Sequence, residues 1–198
     1  MNVVSVIKWS LMPALCIALL GCDVVKLDAD GRPIIPMSAE EAASLTNLTP
    51  EELADKFWSN VLQEADSAQL LSEIGTQQDN AAQQSQFIRI HGVINAIDDT
   101  KKAATMSVST ENNGEVTVQI GPIVRGNSIR DAASFIRFDD FKNQVQFARL
   151  SKELNKKAIQ TITRPDASWV GNQVDILAAV TFKQSALADV IPLDITKR

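Results

Sequence analysis

Apolar residues follow three rhythms along the chain. The first is continuous: residues 9–20, WSLMPALCIALL, are almost wholly apolar. This stretch is shorter than the roughly 20 residues that a bilayer-crossing helix needs. It also contains Pro13, which a structural helix resists. The second rhythm has a period near four. Leu53, Phe57, Val61 and Ala65 recur along one stripe, with Trp58 and Leu62 beside them, and predict an amphipathic helix. Thr49-Pro50-Glu51-Glu52 supplies its start, with a capping threonine, a proline at the first position and a glutamate at the third. Gly75 is placed to stop it.

The third rhythm has period two and predicts strands with one buried face. In residues 87–98, Ile88, Ile90, Ile94 and Ala96 alternate with Arg89, His91, Asn95 and Ile97. Gly92 falls on the buried face in mid-strand, where glycine marks a bulge or a barrel corner. Met106 and Val108 suggest a second strand, Asn113-Gly114 a tight hairpin, and Val116, Val118 and Ile120 a third strand ending at Gly121-Pro122. A short helix is expected over 128–136, with Ser128 and Asp131 as a capping box. A longer one is capped by Asp139 or Asp140 and runs to about Ile159, with Phe141, Val145, Ala148 and Leu154 along one side. Val174 to Phe182 and Ile191 to Ile195 alternate again as two closing strands.

This order predicts an α+β fold: an OB-like five-stranded antiparallel β-barrel with an N-terminal helix and a helical insertion between strands 3 and 4. The competing architecture is an open antiparallel sheet packed by helices on one face.

The continuous run is read as a signal and not as part of the fold. Lys8, a short apolar middle and a small residue before a break form a secretory pattern. A retained membrane anchor is the alternative. LLGC, residues 19–22, resembles the lipobox of bacterial lipoproteins, with Leu19 and Gly21 at the matching positions. The resemblance implies cleavage before Cys22 and acyl chains, palmitate among them, on that residue. Several chains on one residue give stable membrane attachment. Asp23 resembles the signal that keeps enteric lipoproteins in the inner membrane, facing the periplasm. The expected organisation is a signal peptide at 1–21, a lipidated N-terminus and tether at 22–48, and one domain at 49–198.

Composition narrows the function. No acidic residue and one basic residue, Lys8, precede Cys22, so the part from Cys22 onward carries 18 basic against 24 acidic side chains. That balance disfavours nucleic acid, which draws most of its affinity from a basic face. His91 is the single histidine, so neither a His–His nor a Cys–His metal site is expected, and no cofactor is implied. No Gly-x-Ser-x-Gly elbow surrounds any serine. Once Cys16 leaves with the signal, Cys22 is the remaining cysteine, and the domain depends on its hydrophobic core.

Candidate chemistry concentrates in residues 120–148, where Arg125, Gly126, Arg130, Asp131, Asp140, Asn143 and Gln144 interleave with apolar positions. Two readings stand side by side. In one, Gly126, the helix start near Ser128 and Arg125 form an anion or sugar site. In the other, Arg125 or Arg130 pairs with Asp131 or Asp140 and pins the helices to the barrel.

The same segment resembles the DUF2291 family of predicted periplasmic lipoproteins. The resemblance rests on Gly121-Pro122, Arg125-Gly126, Arg130-Asp131-Ala132, Phe138 with Phe141, Asn143-Gln144 and Leu154-Asn155, with VVKLD near the start and Trp58. Asn127 stands where the family usually has threonine, and Phe147 where it has tyrosine. The resemblance implies an exported lipoprotein, often encoded beside sugar transport systems, with no established activity. The expected function is therefore a non-catalytic accessory or binding protein of a sugar ABC transporter or its binding protein. An envelope glycan-processing enzyme and a purely structural tether are the alternatives.

Overall fold

The computed structural model describes residues 45–74, 84–183 and 186–198. The signal segment, Cys22, Asp23, most of the expected tether and Gly75 lie outside these residues.

Helix α1, Pro50–Asp66, starts where its capping sequence directs. The Thr49 side chain accepts from the Glu52 N–H at 3.3 Å, and the Glu52 carboxylate accepts from the Thr49 N–H at 2.8 Å. Leu53, Ala54, Phe57, Trp58, Val61 and Ala65 form its buried face. The helix stops at Asp66, well before Gly75. The Ser67 hydroxyl donates to the Glu64 carbonyl at 2.8 Å, and the chain enters a two-residue strand, β1, Gln69–Leu70.

Strand β2, Gln84–Asp98, is the longest and has two antiparallel partners. Its first part pairs with β5, Gln173–Lys183, from Gln84↔Phe182 to Val93↔Gln173. Its last part pairs with β3, Thr105–Thr110, from Val93↔Ser109 to Asp98↔Thr105. Gly92 sits at the handover. A Cβ there would lie 2.4 Å from the Ser109 carbonyl oxygen and 2.5 Å from Val108 Cγ1. The glycine therefore marks a bend at a close backbone approach, and the register irregularity itself falls between Ile94 and Ala96. One extra residue in a strand reverses its faces. Ala96, expected inside, is exposed, and Ile97 is half-buried opposite Met106.

The turn at Asn113-Gly114 joins β3 to β4, Gly114–Gln119, as expected. Strand β6, Ala186–Lys197, pairs antiparallel with β5 and touches β4 at one parallel position, Val118↔Val190. The pairings run β2–β3–β4–β6–β5–β2, in the OB order, with β1 added parallel to β2. The sheet thus has six strands and is mixed rather than purely antiparallel.

Alternation sends the two faces of this sheet to different cores. Ile88, Ile90, Met106, Val118, Ile176 and Val190 belong to a cluster drawn from all five ring strands. Phe87, Ala179, Ile191 and Leu193 face the other way and pack with the helices.

The expected helical insertion follows β4. It comprises α2, Ser128–Ala132, a 3-10 turn at Phe138–Asp140, and α3, Gln144–Thr161. Three details depart from expectation. Ser128 makes no capping box and has its hydroxyl committed elsewhere. Asn143, not Asp139 or Asp140, caps α3, accepting from the Gln146 N–H at 2.9 Å. The buried face of α3 is Leu150, Leu154 and Ala158, while Val145 is 58% exposed and Ala148 is exposed. Phe57 meets Phe135 and Phe141, and Phe141 meets Phe147, with ring centroids 5.2–6.4 Å apart, so aromatic contacts tie α1 to the insertion.

Gly92→Ala should lower stability by about 1–3 kcal/mol, because the backbone of β3 must retreat from the new methyl group. Urea denaturation of the purified protein measures this. A second prediction concerns acid. The Thr49 N–H and hydroxyl hold the Glu52 carboxyl below its ordinary value of 4.5. The contribution of this contact is complete above that value and is lost as pH falls through the lowered one. Glu52→Gln keeps an acceptor at the cap, so its urea midpoint should fall less steeply with acid than that of the parent.

Candidate functional site

The charged segment divides into groups that hold the fold and one that reaches solvent. Arg130 is 8% exposed. Its Nε and one terminal nitrogen donate to Asp131 Oδ1 at 2.7 and 2.5 Å, and the other donates to the Phe147 carbonyl at 3.2 Å. The guanidinium lies 3.8 Å from the Phe147 ring centroid. A planar cation stacked on a ring and forked to a carboxylate is fixed on every side. Asp131 thus orients the guanidinium, and Arg130 clamps α2 to α3 through the Phe147 carbonyl and ring. Asp140 joins neither arginine, and its Oδ2 is buried without a hydrogen-bond partner. Asn143 is spent on the cap, and Gln144 is exposed in the first turn of α3.

Two buried amides complete this scaffold: Gln146, which sequence reasoning missed, and Asn155, which it named only as part of the family resemblance. Gln146 donates to the Leu45 and Leu48 carbonyls at 3.1 and 2.9 Å and accepts from the Lys142 N–H at 2.9 Å. It latches the chain before α1 onto α3. Asn155 donates to the Gly126 carbonyl at 3.0 Å. Their signal in the sequence is an amide in line with the buried stripe of α3, Gln146 four residues before Leu150 and Asn155 three before Ala158.

Arg125 behaves differently. The Gln119 amide takes its backbone from both ends, accepting from the Arg125 N–H at 2.8 Å and donating to its carbonyl at 2.9 Å. The guanidinium is in none of the ion pairs found among the described residues, and Arg125 lines a cleft of about 540 Å³. That volume falls within the roughly 300–1,000 Å³ of small-molecule sites. Leu71, Ile74, Phe182 and Leu187 give it apolar walls, and Glu115 and Asp189 join Arg125 as its charged groups.

Asp189 is the most constrained of these residues, with φ +50°. The Ser128 hydroxyl donates to its carbonyl at 2.7 Å, and Lys183 Nζ donates to its carboxylate at 3.1 Å. Gly126, at φ +100°, faces it so closely that a Cβ there would lie 2.6 Å from Asp189 Cβ. The expected anion site at the start of α2 is therefore not open, because Ser128 is fully buried and its hydroxyl is bonded to Asp189 and Thr181. The cleft brings Arg125 together with Glu115 and Asp189, residues remote in the chain that no local pattern marks. His91 is exposed, as expected, on β2, and Nε2 lies 3.3 Å from Asp175 Oδ1 across to β5.

The geometry can be set beside known proteins. Residues 12–196 match the family described as predicted periplasmic lipoprotein (DUF2291). The chain belongs to that family. As a DUF2291 protein it is a lipoprotein of the cell envelope, anchored to a membrane. The crystal structure of an OB-fold protein from Thermotoga maritima is similar at 20% identity and a TM-score of 0.54, covering 77% of this chain and 99% of that one. The likeness shows the OB-type fold. No curated protein matches the chain.

In this DUF2291 protein the motif residues Arg130, Asp131, Asn143 and Asn155 all serve packing. Arg130→Ala should cost about 2 kcal/mol, since a hydrogen bond to a charged group is worth roughly 1.5–3 kcal/mol and the half-exposed Asp131 rehydrates. Arg130→Lys should recover less than half, lacking the fork and the stacking plane. Urea midpoints of the two variants check both statements.

Proposed function

We propose that the chain is a non-catalytic accessory protein, tethered by lipid on Cys22 to the periplasmic face of the inner membrane. It serves a sugar ABC transporter or that transporter's binding protein. The observation that carries the binding reading is the cleft, with apolar walls and three charged groups from separate strands and loops. A few convergent polar groups over an apolar lining are what a binding site requires. The transporter link rests on the neighbours that the family resemblance implies, and inner-membrane retention rests on Asp23.

A second reading has one observation in its favour. Glu115 and Asp189 line the same cleft, and two carboxylates are the minimum for glycoside hydrolysis. An envelope-glycan activity lost in both Glu115→Gln and Asp189→Asn would replace the binding reading.

Two measurements test the proposal. Cys22→Ser should move the protein from the membrane to the soluble fraction or leave an uncut precursor, and unchanged fractionation would overturn the anchor. Cross-linking in intact cells grown on several sugars, followed by purification through this chain, should recover a sugar transporter subunit or its binding protein. Recovery of neither on any sugar would leave a purely structural tether.

A further inference from the structure

We infer that the cleft between β4 and β6 receives an extended peptide segment of a partner protein, added as a strand between the two. This rests on the binding-protein reading above and names the chemistry of what is bound. The two strands run parallel and meet in register only at Val118↔Val190. Before that bridge their edges part, and the cleft lies in the gap. Glu115, Val116 and Thr117 form one wall, and Leu187, Ala188 and Asp189 form the other. Among the described residues each wall has a strand partner on its far side alone, with Val116↔Val108 and Thr117↔Ser107 for β4, and Leu187↔Phe182 and Ala188↔Thr181 for β6.

The facing edges therefore present backbone N–H and C=O groups that no strand among the described residues takes up, apart from the Asp189 carbonyl that Ser128 holds. Such an edge is a template for another strand. Because the two walls are parallel, a segment antiparallel to one is antiparallel to both, and antiparallel pairing is the more stable kind. Alternate side chains of that segment would meet the apolar lining of Leu71, Ile74 and Phe182, while Arg125, Glu115 and Asp189 offer partners of both signs.

The gap is built into the fold. Asp189, next to the bridge residue Val190, has φ +50° and so leaves the extended conformation where a second register pair would form. Ser128 holds its carbonyl, Lys183 holds its carboxylate and Gly126 gives it room. A conformation fixed from three sides persists despite its backbone cost.

The test presents the purified full-length protein, in detergent, to a displayed library of random heptapeptides. The best binder is then synthesised with single N-methyl groups along its backbone. Insertion between two edges uses every central N–H, so each methyl group should weaken binding roughly ten-fold. A peptide on one outer edge would lose affinity at alternate positions only, which would overturn the inference. Ala188→Trp, which fills the cleft, should abolish binding while retaining a cooperative urea transition. If that variant does not fold, Thr117→Trp on the opposite wall should have the same effect. No selected peptide, or binding unaffected by the filled cleft, overturns strand addition. A thermal shift with a monosaccharide panel that vanishes in the filled variant would also overturn strand addition, while leaving the binding-protein reading intact. Transporter recovery that survives in the filled variant would do the same.

Discussion

A 15-residue strand cannot run its whole length beside an 11-residue neighbour while the sheet also curls back on itself. Strand β2 meets this constraint by changing partners, from β5 to β3, within two residues of Gly92. The change needs a backbone approach that leaves no space for a side chain, and it directs the rest of the topology. With β5 on one side and β3 on the other, β4 and β6 are the two strands left to meet. They do so late and at one position. The ring is therefore well paired on four sides and held by a single bridge on the fifth.

That weak side is where the helical insertion attaches. A line of hydroxyls runs from Ser85 to Thr181 at 2.8 Å and on to Ser128 at 2.9 Å, ending on the Asp189 carbonyl. It connects β2, β5, α2 and β6, and at the buried Thr181 and Ser128 an unpaired hydroxyl would cost more than the bond contributes. Ser128 thus fixes the start of α2 and the turned backbone of β6 in one contact. Stability of the insertion and the opening between β4 and β6 are two consequences of the same group.

Local signals in the sequence were legible wherever one element decides its own structure. The Thr49–Glu52 cap, the stripe of α1 apart from the exposed Leu62, the Asn113-Gly114 hairpin and the alternation of β5 all stand where the pattern put them. The order of elements was enough to anticipate the OB type. Apart from the cap of α3, which Asn143 takes in place of Asp139 or Asp140, failures came where a second element decides. The extra residue near Asn95 is invisible to a period-two count that assumes an unbroken strand, so Ala96 and Ile97 exchanged faces. Val145 looked like core because the stripe was counted from Phe141, which lies before α3 and outside its helical geometry. The candidate site divided on the same line. The Arg130–Asp131 pair is adjacent in sequence and is one of the four pairings that the sequence leaves open. The grouping of Arg125, Glu115 and Asp189 depends on strands that approach without pairing, which no spacing along the chain encodes.

The charged signature and the cleft consequently carry different kinds of information. Arg130, Asp131 and Asn143, and Asn155 through its amide N–H, make hydrogen bonds within the protein, so a substitution there acts first on folding. Glu115 and Arg125 keep much of their polar capacity turned outward, and a substitution there acts first on what the protein meets. Asp189 belongs to both sets. Its backbone and one carboxylate oxygen hold the seam open, while the residue also lines the opening. Altering its charge alone, as in aspartate to asparagine, therefore separates recognition from architecture better than removing the side chain.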